Sequence, residues 1–274
     1  MFSEFNAPRI HIERLGIVSR NYEKKYQNGL RDFSYVMPAL LSLLDERQCD
    51  AALFSLYSVI PRTDFEVTSI LAPLRNIKAI FLEEFIDDEP RRVSRYLVYH
   101  KDVDGWQRCE FHQQFATITG MFRNEVLGFV SSELPKRILG NCAVLICGES
   151  NGVKYFKSDQ EIHDTFGLAA SIPSNVSIIL NPVHDRMTRF EMNMKRVFLS
   201  KNMRWVVSVW NKGKRDKNGT IKDGVDPAWT VYHNGIKIPV VSISNDLEVE
   251  IGILEATARQ PRQRGLPSST HYSR

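Results

Sequence analysis

The stretch Leu139-Gly-Asn-Cys-Ala-Val-Leu-Ile-Cys147, followed by Gly-Glu-Ser-Asn-Gly152, decides the fold. An almost wholly apolar run that ends abruptly in turn residues is typical of a strand buried on both faces of a parallel sheet. Functional groups in such sheets gather where the strands end. The sequence therefore predicts a central strand that presents Cys147 at its carboxyl end.

Helical and strand patterns alternate on both sides of this strand. Apolar residues at three- and four-residue steps predict amphipathic helices over 33–44 and 185–202. Apolar runs predict buried strands over 50–60, 77–82, 176–181 and 205–210. This alternation predicts an α/β protein.

Turn signals add detail to this pattern. Asp102-Val-Asp-Gly105 and Asn234-Gly235 predict two hairpins, because these residues adopt the backbone conformations of tight turns. Ser158-Asp-Gln-Glu161 has the pattern of a capping box and predicts the start of a short helix.

The composition is that of an ordinary globular protein, with 274 residues, 43% hydrophobic and 25% charged. We expect a single domain over 1–255 and a flexible basic tail over 256–274, which has few apolar residues. The net charge of +4 is too small to predict binding to nucleic acid.

The cysteines and the apolar runs bear on the compartment. Four cysteines without disulfide spacing predict reduced thiols. No run approaches the roughly 20 apolar residues of a membrane span, and the N-terminus has no signal-peptide pattern. We therefore expect a soluble, cytoplasmic protein. Neither a metal-ligand spacing nor a glycine-rich phosphate loop is present, so we expect no metal and no cofactor.

The order of the motifs resembles that of the carbon–nitrogen hydrolase (nitrilase) superfamily. Ile146-Cys147-Gly148-Glu149 resembles its nucleophile motif, and Ile178-Ile-Leu-Asn-Pro182 resembles a strand that ends in asparagine and proline. Val206 to Gly213 and His233-Asn-Gly235 resemble two later motifs. The resemblance covers roughly residues 30–245. It implies a four-layer α-β-β-α sandwich, an amide or nitrile substrate, a thioester intermediate and a homodimer.

The sequence departs from this family at two of its three catalytic positions. The family has a glutamate base after the strand that resembles 49–58, but this chain has Ser55-Leu56 there. The family's lysine is missing from Arg108-Cys-Glu-Phe-His-Gln-Gln114. A thiol with a pKa of about 8.5 needs a base or a positive charge to act as a nucleophile. Either the site has been rebuilt, or the protein binds a ligand or a partner without turnover.

A rebuilt site has several candidate residues besides the nucleophile Cys147. Candidate catalytic groups are Glu149, Glu110 and His112, and Arg108 is a further source of positive charge. Candidate substrate-binding residues are Glu125, which is also a candidate base, and Asn181, His184 and Arg186. The alternative for Cys147 is a small core residue, and the alternative for His184 and Arg186 is an ordinary helix start.

Two further interpretations remain open. Gly148-Glu-Ser-Asn-Gly152 matches the nucleophile elbow of the α/β-hydrolases, with Ser150 as nucleophile and Asp226 and His233 as partners. The basic loop from Lys212 to Lys217 is either a solvated face or a site for an acidic ligand, a phosphate or a partner protein.

Overall fold

Two β-sheets form the centre of the computed structural model. It describes residues 8–257 apart from 64, 87–92, 117–122, 185–188, 216–217, 222 and 224–225. In chain order the strands are β1 (Arg14–Arg20), β2 (Ala51–Phe54), β3 (Ala79–Ile86), β4 (Val93–Asp102), β5 (Gly105–Phe111), β6 (Ile138–Leu139), β7 (Cys142–Val144), β8 (Lys154–Phe156), β9 (Glu161–His163), β10 (Ile178–Pro182), β11 (Trp205–Val209), β12 (Trp229–His233), β13 (Ile236–Lys237), β14 (Val241–Ile243) and β15 (Val249–Glu255). The α-helices are α1 (Met37–Glu46), α2 (Arg123–Gly128) and α3 (Phe190–Leu199).

The two sheets have similar topologies. The first has seven strands in the order β14-β15-β1-β2-β3-β4-β5, and the second has six in the order β13-β12-β11-β10-β7-β6. In the first sheet β1, β2 and β3 are parallel, and in the second β7, β10 and β11 are parallel. The carboxyl ends of three strands therefore meet at one edge of each sheet.

The apolar side chains divide into three packed clusters. One lies between the sheets and includes Leu53 and Phe81 from the first sheet and Val144 and Leu180 from the second. A second joins the outer face of the first sheet to α1. The third covers the outer face of the second sheet and includes residues of α2 and α3. The predicted α-β-β-α sandwich is confirmed.

Several predicted elements have different bounds or a different form. The predicted central strand is divided, because Gly140 has a positive φ of 72° and turns the chain between β6 and β7. The helix predicted from Ser158 to Glu161 is wrong, since these residues lie in the antiparallel hairpin of β8 and β9. The predicted hairpin at Asn234-Gly235 is confirmed, and both residues have positive φ.

The described part of the chain has no helix long and apolar enough to cross a membrane. The longest α-helices in it have 10 residues, about half of what a span requires.

Candidate active site

Cys147 lies three residues beyond β7, at the first position of a 3-10 helical segment, Cys147–Gly152. Its φ is 47°, a left-handed conformation that is uncommon for a residue with a side chain. The buried Asn181 holds this turn, since its Nδ2 donates to the carbonyl oxygens of Leu145 at 2.7 Å and Cys147 at 3.2 Å. The nucleophile candidate is thus held in an unusual backbone geometry, as functional residues often are.

The residue after the cysteine is a glycine for a steric reason. A Cβ at Gly148 would lie 1.9 Å from the backbone oxygen of Ala116. The backbone of Ala116 therefore occupies the space that a side chain would need.

His184 follows β10 by two residues and connects the cysteine to a carboxylate. Its Nε2 lies 3.1 and 3.2 Å from the two carboxylate oxygens of Glu83, and the side chain of Cys147 is close enough to the ring to raise its pKa. A carboxylate can only accept a hydrogen bond, so Nε2 carries the proton. The three residues form a Cys-His-Glu arrangement across the two sheets.

The charge state of His184 follows from these neighbours. Burial lowers its pKa, but the interactions with the side chain of Cys147 and with the carboxylate of Glu83 outweigh this effect and raise the pKa to about 9. An imidazolium therefore predominates at neutral pH, between two groups that stabilise it. A cation beside the sulfur stabilises the reactive thiolate.

Glu83 lies in the interior of the protein, with 2% of its surface exposed. In the parallel pairing of β2 with β3, Leu53 is level with Phe81. The same register, continued by two residues, sets Glu83 level with Ser55, where the resemblance places the family's glutamate. The backbone N–H of Tyr57 donates to Oε2 of Glu83 at 2.6 Å. The carboxylate is thus present at this end of the sheet, but on the neighbouring strand.

Ser55 itself has a structural role. Its hydroxyl donates to Oδ1 of Asn211, and Nδ2 of Asn211 donates to the carbonyl oxygen of Leu56 at 2.7 Å. These bonds connect the end of β2 to the end of β11, since Asn211 follows that strand by two residues. They hold the carboxyl-end edges of the two sheets together.

Glu149 belongs to a buried ion pair behind the cysteine turn. Its Oε2 lies 2.5 Å from Nη1 of Arg137, and both side chains are fully buried. Its carboxylate also accepts the backbone N–H groups of Ile146 at 2.7 Å and Gln114 at 2.8 Å. Burial raises its pKa to about 7 against the opposing effect of these partners. These bonds all support the turn that holds Cys147.

The other predicted residues lie elsewhere. Glu110 and His112 lie at the end of the edge strand β5, where they contact each other and Glu110 pairs with Arg95. Glu125 is exposed on α2. Asn181 supports the cysteine turn as described above. Arg186 lies outside the described residues. Of the predicted site residues, the structure brings His184 to the side chain of Cys147, and it brings Asn181 and Glu149 to the turn that holds Cys147.

The serine interpretation is contradicted by the geometry. Ser150 is buried inside the 3-10 segment, and its hydroxyl donates to the carbonyl oxygen of Cys147 at 3.3 Å. Asp226 precedes β12 while His233 ends it, so its proposed partners lie at opposite ends of one strand.

The basic loop is partly neutralised. Nζ of Lys212 lies 2.6 Å from Oε1 of Glu250, and Nη1 of Arg215 donates to the carbonyl oxygen of Gly219 at 3.0 Å. Residues 216–217 at its end lie outside the described part of the chain.

Among the described residues, one group of side chains has metal-ligand chemistry. Asp159, Glu161 and His163 are exposed on the β8–β9 hairpin, with ligand atoms within 4.8 Å of one another. Nε2 of His163 lies 2.6 Å from Oδ2 of Asp159, so these two ligand atoms already satisfy each other. The group belongs to a surface hairpin and not to the Cys-His-Glu arrangement.

Comparison with known proteins gives a likeness of fold. No family model and no curated protein matches the sequence. A carbon–nitrogen hydrolase from Helicobacter pylori has a TM-score of 0.45 and 11% identity, over 90% of each chain. A mutant of an amidase of the nitrilase superfamily from Nesterenkonia has a TM-score of 0.47 and 10% identity, over 91% of this chain and 93% of that one.

A glutamine-dependent NAD(+) synthetase from Cytophaga hutchinsonii has a TM-score of 0.41 and 9% identity, over 84% of this chain and 40% of that one. At such identities these likenesses carry no conclusion about activity.

Sequence reasoning missed Glu83, although a signal was present. The apolar run predicted over 77–82 is followed directly by Glu83-Glu84, a pair of carboxylates at the end of that run. This is the same kind of signal that identified Cys147. In the resembled family the glutamate follows the preceding strand, where this chain has Ser55-Leu56.

Proposed function

We propose that this protein is a hydrolase of amide or nitrile carbon–nitrogen bonds that acts through Cys147. The observation that carries the proposal is the position of His184, which is hydrogen-bonded to the buried Glu83 and interacts with the side chain of Cys147. A nucleophile, a base within hydrogen-bonding reach and a third group that orients the base are the parts of a nucleophilic triad.

The proposed roles follow from this geometry. For an amide, the sulfur of Cys147 attacks the carbonyl carbon while the proton resides on His184. The C–N bond then breaks, His184 gives its proton to the departing nitrogen, and a thioester remains on Cys147. Water attacks the thioester, His184 takes a proton from it, and the acid leaves as the thiol is restored. Glu83 keeps the imidazole oriented and stabilises its positive charge.

The positive charge of His184 offsets part of what the missing lysine would supply. In the resembled family a lysine lies beside the nucleophile, whereas this chain places an imidazolium there. The carboxylate on β3 offsets the absence of the glutamate after β2. The rebuilt-site hypothesis thus rests on two replacements: His184 for the family's lysine and Glu83 for its glutamate.

Ammonia release from a panel of small amides and nitriles tests the proposal. We expect Cys147-dependent turnover that falls to background in Cys147→Ala and His184→Gln. In Glu83→Gln we expect a loss of about 10²–10⁴-fold, as when the group that orients a catalytic histidine is neutralised. Glu110→Gln is the matched control, since it removes a carboxylate from the edge strand β5 and should leave the rate unchanged. Turnover that survives in Cys147→Ala would contradict the proposal.

The second candidate is a protein of the same fold that binds a ligand or a partner without turnover. The 8% exposure of Cys147 favours it, because a substrate carbon must approach the sulfur closely. The two candidates differ in mass spectrometry. After incubation with an activated ester, a hydrolase gains the mass of a thioester on Cys147. A binding protein keeps its original mass.

A further inference from the structure

Tyr57 lies beside the Cys-His-Glu arrangement in a strained conformation. Its φ is 56°, in the left-handed region that bulky residues seldom adopt. Such strain persists only where surrounding contacts hold it, and it is concentrated at functional sites. Tyr57 stands in the chain three residues beyond β2, close to the position where the resembled family has its glutamate.

Contacts on both sides of Tyr57 hold its backbone. Its N–H donates to Oε2 of Glu83 at 2.6 Å. Its carbonyl oxygen accepts from Nη2 of Arg20 at 3.1 Å, and this guanidinium is itself buried. Through its N–H, the strained residue therefore holds one oxygen of Glu83.

The ring of Tyr57 contacts His184, the hydrogen-bond partner of Glu83. Its centroid lies 4.4 Å from that of the His184 ring, at an interplanar angle of 42°. The rings of Phe85 and Tyr22 pack edge-on against Tyr57 at 5.2 and 5.6 Å. The ring is thus supported by two other aromatic residues while it covers one face of the imidazole.

We infer that Tyr57 is a positioning residue, which holds Glu83 through its backbone and His184 through its ring so that the two remain hydrogen-bonded. The inference deepens the proposed function and rests on the same site. Glu83 lies on β3 in the first sheet, whereas His184 follows β10 in the second. Tyr57, which follows β2, contacts both residues and so helps to keep them together.

Proton NMR of the ring N–H of His184 tests this inference without any need for activity. A histidine N–H held on a carboxylate gives a far-downfield, slowly exchanging resonance, which is assigned by its absence in His184→Gln. We expect it in the wild type and in Tyr57→Phe, which keeps the ring. We expect it to broaden or vanish in Tyr57→Gly, which tolerates the positive φ and keeps the N–H but lacks the ring.

Tyr57→Asn is the second variant, because asparagine also adopts positive φ and covers the case in which the glycine variant does not fold. An unchanged resonance in a folded Tyr57→Gly or Tyr57→Asn overturns the inference. If amide turnover is absent but the resonance follows this pattern, the proposed function fails and the positioning role stands. If turnover is present but the resonance is the same in all Tyr57 variants, the proposed function stands and the positioning role fails.

Discussion

At the scale of single residues, His184 determines what the site can do. Its side chain is 19% exposed and its carboxylate partner 2%, so water screens their interaction only weakly. Burial lowers the pKa of the imidazole and Glu83 raises it, and a neutral imidazole would provide no positive charge beside the sulfur. The carboxylate and the histidine therefore act as one unit.

The raised pKa of His184 predicts a pH-dependent contribution to stability. The folded value of about 9 lies above the ordinary value of 6.5, so the protonated ring favours the folded state. This contribution is complete below pH 6.5 and is lost as the pH rises through 9. We expect the difference in the free energy of unfolding between wild type and His184→Gln, measured in urea, to shrink from pH 6 to pH 9.5. A difference that stays constant across this range would contradict the assignment.

At the scale of elements, the turn after β7 determines where the sulfur lies. The ion pair of Arg137 with Glu149 supports it from behind, and Asn181 supports it from the neighbouring strand. The close approach of Ala116 to Gly148 fixes it from a third direction. The cysteine is thus presented by packing and hydrogen bonds contributed by several separate segments.

Gly148→Ala tests this packing. The new methyl group would lie 1.9 Å from a backbone oxygen, so the turn must shift. We expect a loss of about 1–3 kcal/mol in the free energy of unfolding, as is typical of overpacking, together with slower reaction of Cys147. Gly128→Ala is the matched control, because nothing lies within 4 Å of its added methyl group. It should stabilise the protein by about 0.5–1 kcal/mol. Equal stability of the two variants would show that the turn is not packed as described.

The sequence predicted the layers well and the site only in part. The spacing of apolar residues and uninterrupted apolar runs identify strands such as β10 and β11, because a strand buried on both faces is almost wholly apolar. They did not predict β1, β14 or β15, which lack a long apolar run. Cys147 and His184 were found because each follows a buried strand. Their pairing with Glu83 depends on how the two sheets pack against each other, and no local sequence pattern predicts that packing.

At the scale of the whole molecule, the arrangement of two facing sheets creates the site. Glu83 belongs to the first sheet, whereas Cys147 and His184 follow strands of the second. The bonds of Asn211 to Ser55 and Leu56 keep these edges in contact. Self-association and a cytoplasmic location remain predictions. The predicted tail at 256–274 lies almost wholly outside the described residues.

The rate at which iodoacetamide alkylates each cysteine at pH 6 tests the central claim, that His184 and Glu83 activate Cys147. Cys109 is the internal reference, because it is more exposed but has a pKa raised by burial. We predict that Cys147 reacts at least about tenfold faster than Cys109, since an isolated thiol is almost wholly protonated at this pH. We also predict that His184→Gln removes the advantage. If Cys147 reacts no faster than Cys109, or keeps its rate without His184, the account is contradicted.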